Sequence, residues 1–187
     1  KYHSYKGEVG KIAPNLLNRD FYAQKPNEKW VTDVTEFSLF GKKLYLSPIL
    51  DLHSSYLVSY TISEHPTLSM VTSMLEKAFV NIPDNTNLIL HSDQGWQYQH
   101  KQYQRMLHNK GIRQSMSRKG NCLDNSVMEN FFGILKSELL YLQKFESMEQ
   151  FKQELVDYLD YYNNRRIKTK LKGLSPALYR KLALMAS

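Results

Sequence analysis

The chain has one cysteine, Cys122, among 187 residues. This excludes an intramolecular disulfide and any cysteine-rich zinc cluster, and it fits a reducing cytoplasm. Cys122 itself is expected to pack as a small residue at a helix entrance. The six histidines form no HxxxH or HxH pair of the kind zinc sites use. No apolar run approaches the roughly 20 residues of a membrane-spanning helix, so no lipid anchor is expected. The chain opens at Lys1 rather than Met and lacks the apolar core of a secretory signal. The expectation is a piece of a longer protein with an upstream module. Internal repeats and low-complexity tracts are also absent, and the length suits one compact α/β domain.

Carboxylates are missing from one region in particular. From Asn163 onward there is no Asp or Glu, whereas seven Lys or Arg follow, beginning with Arg165 and Arg166 and including Lys168. Net charge is +7 with an isoelectric point near 9.3. Such a tail suits a polyanion, with Arg165 and Arg166 as candidate DNA contacts, but a basic run alone equally describes a solvated surface. A second, independent signal is needed.

The pattern along the chain supplies a scaffold. Residues 1–28 are polar, with Gly7, Gly10, Pro14 and Pro26, and read as an arm or linker from an upstream DNA-binding region. Trp30 to Phe40 and Lys43 to Leu52 are rich in β-branched and aromatic residues, with a hairpin turn expected at Gly41-Lys42. A third strand is expected at Tyr56–Ile62. The period then changes to that of a helix, placing Leu68, Val71, Thr72, Leu75 and Phe79 on one face, with Pro83 ending the segment. A short buried strand at Leu88-Ile89-Leu90 runs into His91-Ser92-Asp93-Gln94-Gly95. A helix at 99–110, a strand at 112–116, a loop at 117–123 and helices at 124–142 and 148–165 complete the order. Three antiparallel strands followed by parallel βα units give a mixed five-stranded sheet with helices on both faces. The catalytic core is expected over 29–166, followed by a basic extension over 167–187.

Three carboxylates sit in unusual settings on this scaffold. Asp33 shares a strand face with Val31, Thr35 and Phe37. A lone buried carboxylate costs several kcal/mol unless compensated, and a divalent cation compensates well. Asp93 ends a strand, where open α/β sheets place ligands. Glu129 lies one turn into a helix among Val127, Met128, Phe131 and Phe132. Singly, each has an ordinary reading as a paired strand acid, a turn former or an exposed helix residue. Jointly, 35 residues separate Asp93 from Glu129 with suitable elements between them, and the three acids can meet at one sheet edge. Asp51, at the end of the second strand, is a possible fourth ligand.

The stretches Trp30-Val-Thr-Asp-Val-Thr, His91-Ser-Asp-Gln-Gly and Gly120-Asn-Cys-Leu-Asp-Asn-Ser-Val-Met-Glu-Asn-Phe-Phe resemble the integrase-type catalytic core of bacterial insertion-sequence transposases, particularly the IS-three family. Lys136 matches the basic residue that family carries seven positions after the Glu. Seven helical steps bring it to within about 20° of Glu129's direction. Tyr162-Asn-Asn-Arg-Arg and Leu174-Ser-Pro-Ala-Leu-Tyr resemble the family's closing segment, although Lys168 stands where many members have histidine. Ser175-Pro176 also reads simply as a cap and first residue of a terminal helix.

The resemblance implies a ribonuclease-H-like fold and a DDE mechanism with two Mg2+ ions, Mn2+ substituting. Asp33 would bridge the ions, and Asp93 and Glu129 would each hold one. It implies nicking at the ends of an element and transfer of the 3′-hydroxyl to another phosphodiester, with terminal inverted repeats and target DNA as partners and a homo-oligomer in the DNA complex. Lys136, Arg118 and Lys119 are expected on the DNA backbone. Asn125 is expected to organise the glutamate's helix beside that DNA. A ribonuclease H or junction-resolving nuclease of the same fold is the rival enzyme, and a DNA-binding or assembly domain without catalysis is the rival of another class. Tyr158, Tyr161 and Tyr162 are read as a packed helix face with Leu155 and Leu159.

Overall fold

The computed structural model describes residues 10–187; the first nine residues of the expected arm, Gly7 among them, lie outside the described residues. A six-stranded mixed sheet forms the centre of the molecule. Its strands are β1 (Lys29–Thr32), β2 (Thr35–Leu39), β3 (Lys42–Asp51), β4 (Tyr56–Ser63), β5 (Ile89–Ser92) and β6 (Arg113–Met116). β1 and β2 run antiparallel to one edge of β3 in a single register, while β4 lines the other edge. β5 lies parallel to β1, and β6 lies parallel to β5. The five ribbons expected from the sequence are therefore present, but the first is broken in two.

The break falls at Asp33-Val34, and the partner strand accounts for it. Continuing the register of β1 places Pro48 opposite Asp33. Proline has no N–H to give to a ladder, and the carbonyl of Pro48 accepts a hydrogen bond from the Thr32 hydroxyl at 2.8 Å. The backbone at Asp33 is thus released from pairing in the middle of a sheet. The hairpin turn lies one residue earlier than expected, at Phe40-Gly41, where φ values of 55° and 67° give the doubly left-handed turn that suits strand twist.

Each face of the sheet has its own core. Val31, Phe37, Leu46 and Leu50 pack against Met128, Phe131, Leu135, Phe151 and Leu155, which belong to α4 (Ser126–Leu135) and α5 (Met148–Asn164). Trp30, Ile49 and Leu90 pack against Val71, Met74, Leu75, Tyr103 and Leu107, which belong to α1 (Leu68–Phe79) and α3 (Lys101–Lys110). Each such side chain contributes roughly 1.5–3 kcal/mol when fully buried, so α4 is held firmly against the strand that precedes Asp33.

Three helical segments differ from expectation. The helix expected at 99–110 is split into α2 (Trp96–Gln99) and α3, because His100 is extended and its Nδ1 accepts from Gln102 N–H at the start of α3. The helix expected at 124–142 is three pieces: a 3-10 turn at Cys122–Asn125, α4, and a wide turn at Lys136–Leu140. That turn is closed by Tyr141 N–H donating to the Lys136 carbonyl at 2.9 Å, a five-residue step. The final helix α6 (Pro176–Met185) starts as its sequence indicates, with Ser175 Oγ accepting from Leu178 N–H.

Candidate active site

The break in β1 leaves Asp33 just past a strand end, and Asp93 occupies the same position beyond β5. Val31 pairs with His91 across these parallel strands, so the register carries Asp33 to the level of Asp93. Neighbouring strands lie about 4.8 Å apart, and the two carboxyl groups are therefore neighbours by construction. Each is steadied by a local backbone amide. Val34 N–H donates to Asp33 Oδ1 at 2.8 Å, and Gly95 N–H donates to Asp93 Oδ1 at 2.8 Å. A Cβ at Gly95 would stand 3.0 Å from that same Asp93 oxygen, so a side chain there would crowd the carboxylate.

No Lys or Arg is among the groups that set the ionisation of either carboxylate, and the charge of His91 is the smallest of the influences on Asp93. Burial pushes the Asp33 pKa up, and the charges of Asp93 and Glu129 push it further. Burial likewise raises Asp93. Behind the pair stand Tyr98 and Tyr103, fully buried with ring centroids 5.3 Å apart. Two like charges against an apolar wall are destabilising as they stand and favourable around a divalent cation.

Glu129 reaches the same place from α4. Met128, Phe131, Phe132 and Leu135 turn into the core, which leaves Glu129 on the flank of the helix and exposed. It lines a cleft of about 470 Å³ together with Asp33, Asp93, Lys119 and Asn125. A second hollow of about 250 Å³ also contains Asp33 and Asp93, with Glu36 and Trp96 among its other walls. The aspartate pair thus forms a ridge between two concavities. Among the described residues, no group of three His, Cys, Asp or Glu is already gathered as a closed metal cage. The donor set nevertheless fits a hard, partly hydrated ion, which needs few carboxylates.

Asn125 is 5% exposed, and neither its amide nitrogen nor its amide oxygen has a hydrogen-bond partner. An unpaired buried amide costs about 1–3 kcal/mol, and this one lies on the wall of the cleft. Cys122 is not packed as expected. It is exposed and lines the cleft, because the 3-10 turn buries Asp124 and Asn125 and turns residues 122 and 123 outward.

The expected basic residues divide into separate groups. Lys119 is exposed at the cleft, and Arg118 lines it while gripping Asp124 with Nε and Nη2, each at 2.9 Å. Lys136 lies at the start of the wide turn with its amine 5.7 Å from the Phe37 ring centroid, and it is not among the cleft-lining residues. Arg165 pairs with Asp160 at 3.3 Å. Arg166 holds Glu138 through two nitrogens and lines a different hollow, of about 440 Å³, with Tyr158 and Tyr161. The Lys168 amine donates to the Tyr162 hydroxyl at 3.0 Å and sits over that ring, and burial lowers its pKa to about 8. Tyr158 and Tyr162 are buried as expected of a packed face, whereas Tyr161 is 38% exposed.

Asp51 does not join the acids. It is fully buried, accepts from Arg180 Nη1 at 2.6 Å and from the backbone amides of Asn27 and His53 at 2.7 and 2.9 Å, and pins α6 to the sheet. Asp124, Arg19 and His91 were not singled out by the sequence, although Asp124 and His91 stand inside the quoted motifs.

The integrase core domain family matches residues 23–122, and a second integrase core domain model matches residues 129–184. The chain is 55% identical over 185 residues to the "Putative transposase InsK for insertion sequence element IS150" of Escherichia coli K12, covering 99% of this chain and 65% of that protein. It is 53% identical over 184 residues to an uncharacterized transposase-like protein of Haemophilus influenzae, covering 98% of this chain and 85% of that protein. In fold it is similar to the HTLV-2 integrase catalytic core domain in complex with magnesium, with a TM-score of 0.67 at 18% identity over 85% of this chain and 99% of that one. The mixed sheet and its two helical layers are those of retroviral integrase cores, the ribonuclease-H-like arrangement. With the family matched on both sides of the 3-10 turn and its fold reproduced, this chain belongs to the integrase core domain family, and its relatives include transposases of insertion sequences.

Proposed function

We propose that the chain is the catalytic core of an insertion-sequence transposase, and that Asp33, Asp93 and Glu129 are its metal-binding catalytic acids. The observation carrying this is the side-by-side pair of half-buried aspartates, where burial opposes the ionisation of both and the charge of Asp93 opposes that of Asp33 further, with Glu129 on the same cleft. When bound there, Mg2+, or Mn2+ in its place, supplies charge neutralisation and activation of oxygen for in-line displacement, two ions serving the attacking and leaving sides. The chain's own groups do the rest. The three acids hold that charge, Gly95 fixes the Asp93 carboxylate, and the tyrosine wall keeps water from one side of the pair.

In nicking, water attacks a phosphodiester at the element's end and releases a 3′-hydroxyl. In joining, that hydroxyl attacks a target phosphodiester, with a second 3′-oxygen leaving. Only the attacking oxygen differs, so one cleft serves both. Lys119 and the free edge of Arg118 meet the DNA backbone near the chemistry, and Asn125 meets the strand inside the cleft. Lys136, Arg165 and Arg166 lie further out and contact flanking phosphates. DNA of the terminal inverted repeats and of the target is the partner, and copies of the protein assemble on it, acting in the cytoplasm. Residues 29–166 carry the chemistry. Residues 167–187 brace it, and recognition of the repeat belongs to sequence beyond this chain.

The test is a nicking and joining assay with the longer protein on its cognate end in Mg2+ or Mn2+. Asp33→Asn, Asp93→Asn and Glu129→Gln should each abolish both reactions. Intact nicking and joining in any one of them sinks the assignment of that residue.

A further inference from the structure

Residues 10–20 run along the free edge of β6 as a strap. Met116 N–H donates to the Pro14 carbonyl at 3.1 Å, and Leu16 N–H donates to Ser115 Oγ at 2.8 Å. The strap then turns through Asn18 and Arg19, both left-handed with φ of 48° and 62°, and ends by delivering the Arg19 side chain to the rim of the acid cleft. Arg19 Nε donates to Asp124 Oδ1 at 2.9 Å, and its Nη2 donates to Asn121 Oδ1 at 2.9 Å.

Asp124 collects more than this one arginine. Its carboxylate is fully buried and also accepts from the Arg118 backbone N–H, Nε and Nη2, each at 2.9 Å, and from Asn15 Nδ2 at 3.3 Å. Above all the hydrogen bonds of Arg118, and then those of Arg19, hold its carboxyl far below the usual carboxylate range. A second path joins strap and turn through a buried histidine. His91 Nε2 lies 2.8 Å from the Asp124 carbonyl, and its Nδ1 lies 2.7 Å from Ser115 Oγ. A carbonyl only accepts, so Nε2 carries the hydrogen and Nδ1 receives that of the Ser115 hydroxyl.

The geometry matters for the cleft because Asp124 stands between two of its walls. On one side is the loop 117–121, which lines the cleft and carries Arg118 and Lys119. On the other is α4, with Glu129 in its first turn. Arg118 spends Nε and one Nη2 hydrogen on Asp124, yet its side chain remains 59% exposed. The remaining guanidinium N–H groups are free to meet a phosphate in a fixed orientation. Without the carboxylate, that side chain would have to be ordered on binding, which costs conformational entropy.

We propose that Asp124 is a positioning residue for phosphodiester cleavage and joining: it presets Arg118 and the basic loop over the acid cleft, and through Arg19 it ties that setting to the N-terminal strap. This rests on reading the cleft as the DNA-cleaving site.

Hydrogen exchange and plasmid nicking test it together, on the whole protein that carries this chain. Arg19, 41% exposed in its side chain, can be replaced without touching the core. In Arg19→Ala, exchange of the amides of 117–121 should rise roughly tenfold, with the amides of α1 and β3 unchanged, and Arg19→Lys should restore part of the protection. Unchanged exchange in the loop, or a rise spread over the whole sheet, overturns the proposal. With Mn2+ and supercoiled plasmid as the probe, the maximal nicking rate of Arg19→Ala and of Asp124→Asn should fall about tenfold, while the half-saturating plasmid concentration moves less than about twofold. The double variant should be no slower than Asp124→Asn alone. A loss confined to plasmid affinity, or strictly multiplicative losses, would also overturn it. Asp33→Asn is the control for the underlying reading. If it nicks as well as wild type, or wild type does not nick, that reading fails, and the exchange measurement still decides what Asp124 holds.

Discussion

Asp33 and Asp51 are both carboxylates where strands of the same sheet end, and the fold surrounds them in opposite ways. Asp51 receives the Arg180 guanidinium and two backbone amides, and Arg180 in turn donates to Asn27 Oδ1 at 2.7 Å and lies over the Tyr56 ring. Asp33 receives the amide of Val34, and its nearest charges are those of Asp93 and Glu129. Position at a strand end therefore does not distinguish an acid that braces the fold from one left open to the cleft. The distinction lies in whether the fold brings a cation of its own or leaves that place open.

The sharpest way to break this contrast is to neutralise each acid in turn. Asp33→Asn should lower nicking by about 10³-fold or more, equivalent to roughly 4 kcal/mol of barrier. Asp51→Asn should leave turnover per folded molecule within about twofold of wild type, because its role is stability rather than chemistry. A comparable loss of turnover in both would erase the distinction. Arg180→Ala should then lower unfolding free energy by about 3 kcal/mol, the scale for stranding a buried charge, as read by denaturant melts. A loss under roughly 1 kcal/mol would show that α6 is not held by this pair.

Stability should move the other way at Asp33. Its pKa is raised in the folded protein to about 8, so its contribution to stability is present at low pH and lost as pH rises through that value. At pH 8 without metal, Asp33→Asn should melt about 2–4 °C above wild type, the equivalent of roughly 1 kcal/mol in a domain of this size. The gap should close as pH falls toward 4, and Mg2+ should raise the melting temperature of wild type alone. A variant less stable than wild type at pH 8 would contradict the electrostatic account. The smallest effect expected is at Lys136, whose amine already rests on Phe37. Lys136→Ala should weaken DNA binding a few-fold and lower the salt slope by about one.

The contrast also marks what the sequence could and could not show. The meeting of the three acids on one cleft was legible because strand alternation, a strand end and the spacing to Glu129 are local or evenly counted features. The two-layer mixed sheet was legible from its changing hydrophobic period. The split at Asp33 was not, since it depends on Pro48 lying opposite in a neighbouring strand. Asp51 resembled a ligand until its partner emerged 129 residues away, and the Arg19–Asp124 contact spans 105 residues. Ion pairs at such separations leave no periodicity behind. The wide turn after α4 was equally hidden, because its residues suit an ordinary helix.

Cys122, which faces the cleft instead of the core, gives the protein a chemical address. Because this chain contains no other thiol, the one place within it where a maleimide dye or spin label attaches is the rim of the acid cleft. A label there would report on whatever enters the cleft beside Asp33, Asp93 and Glu129, with no competing cysteine elsewhere in this chain.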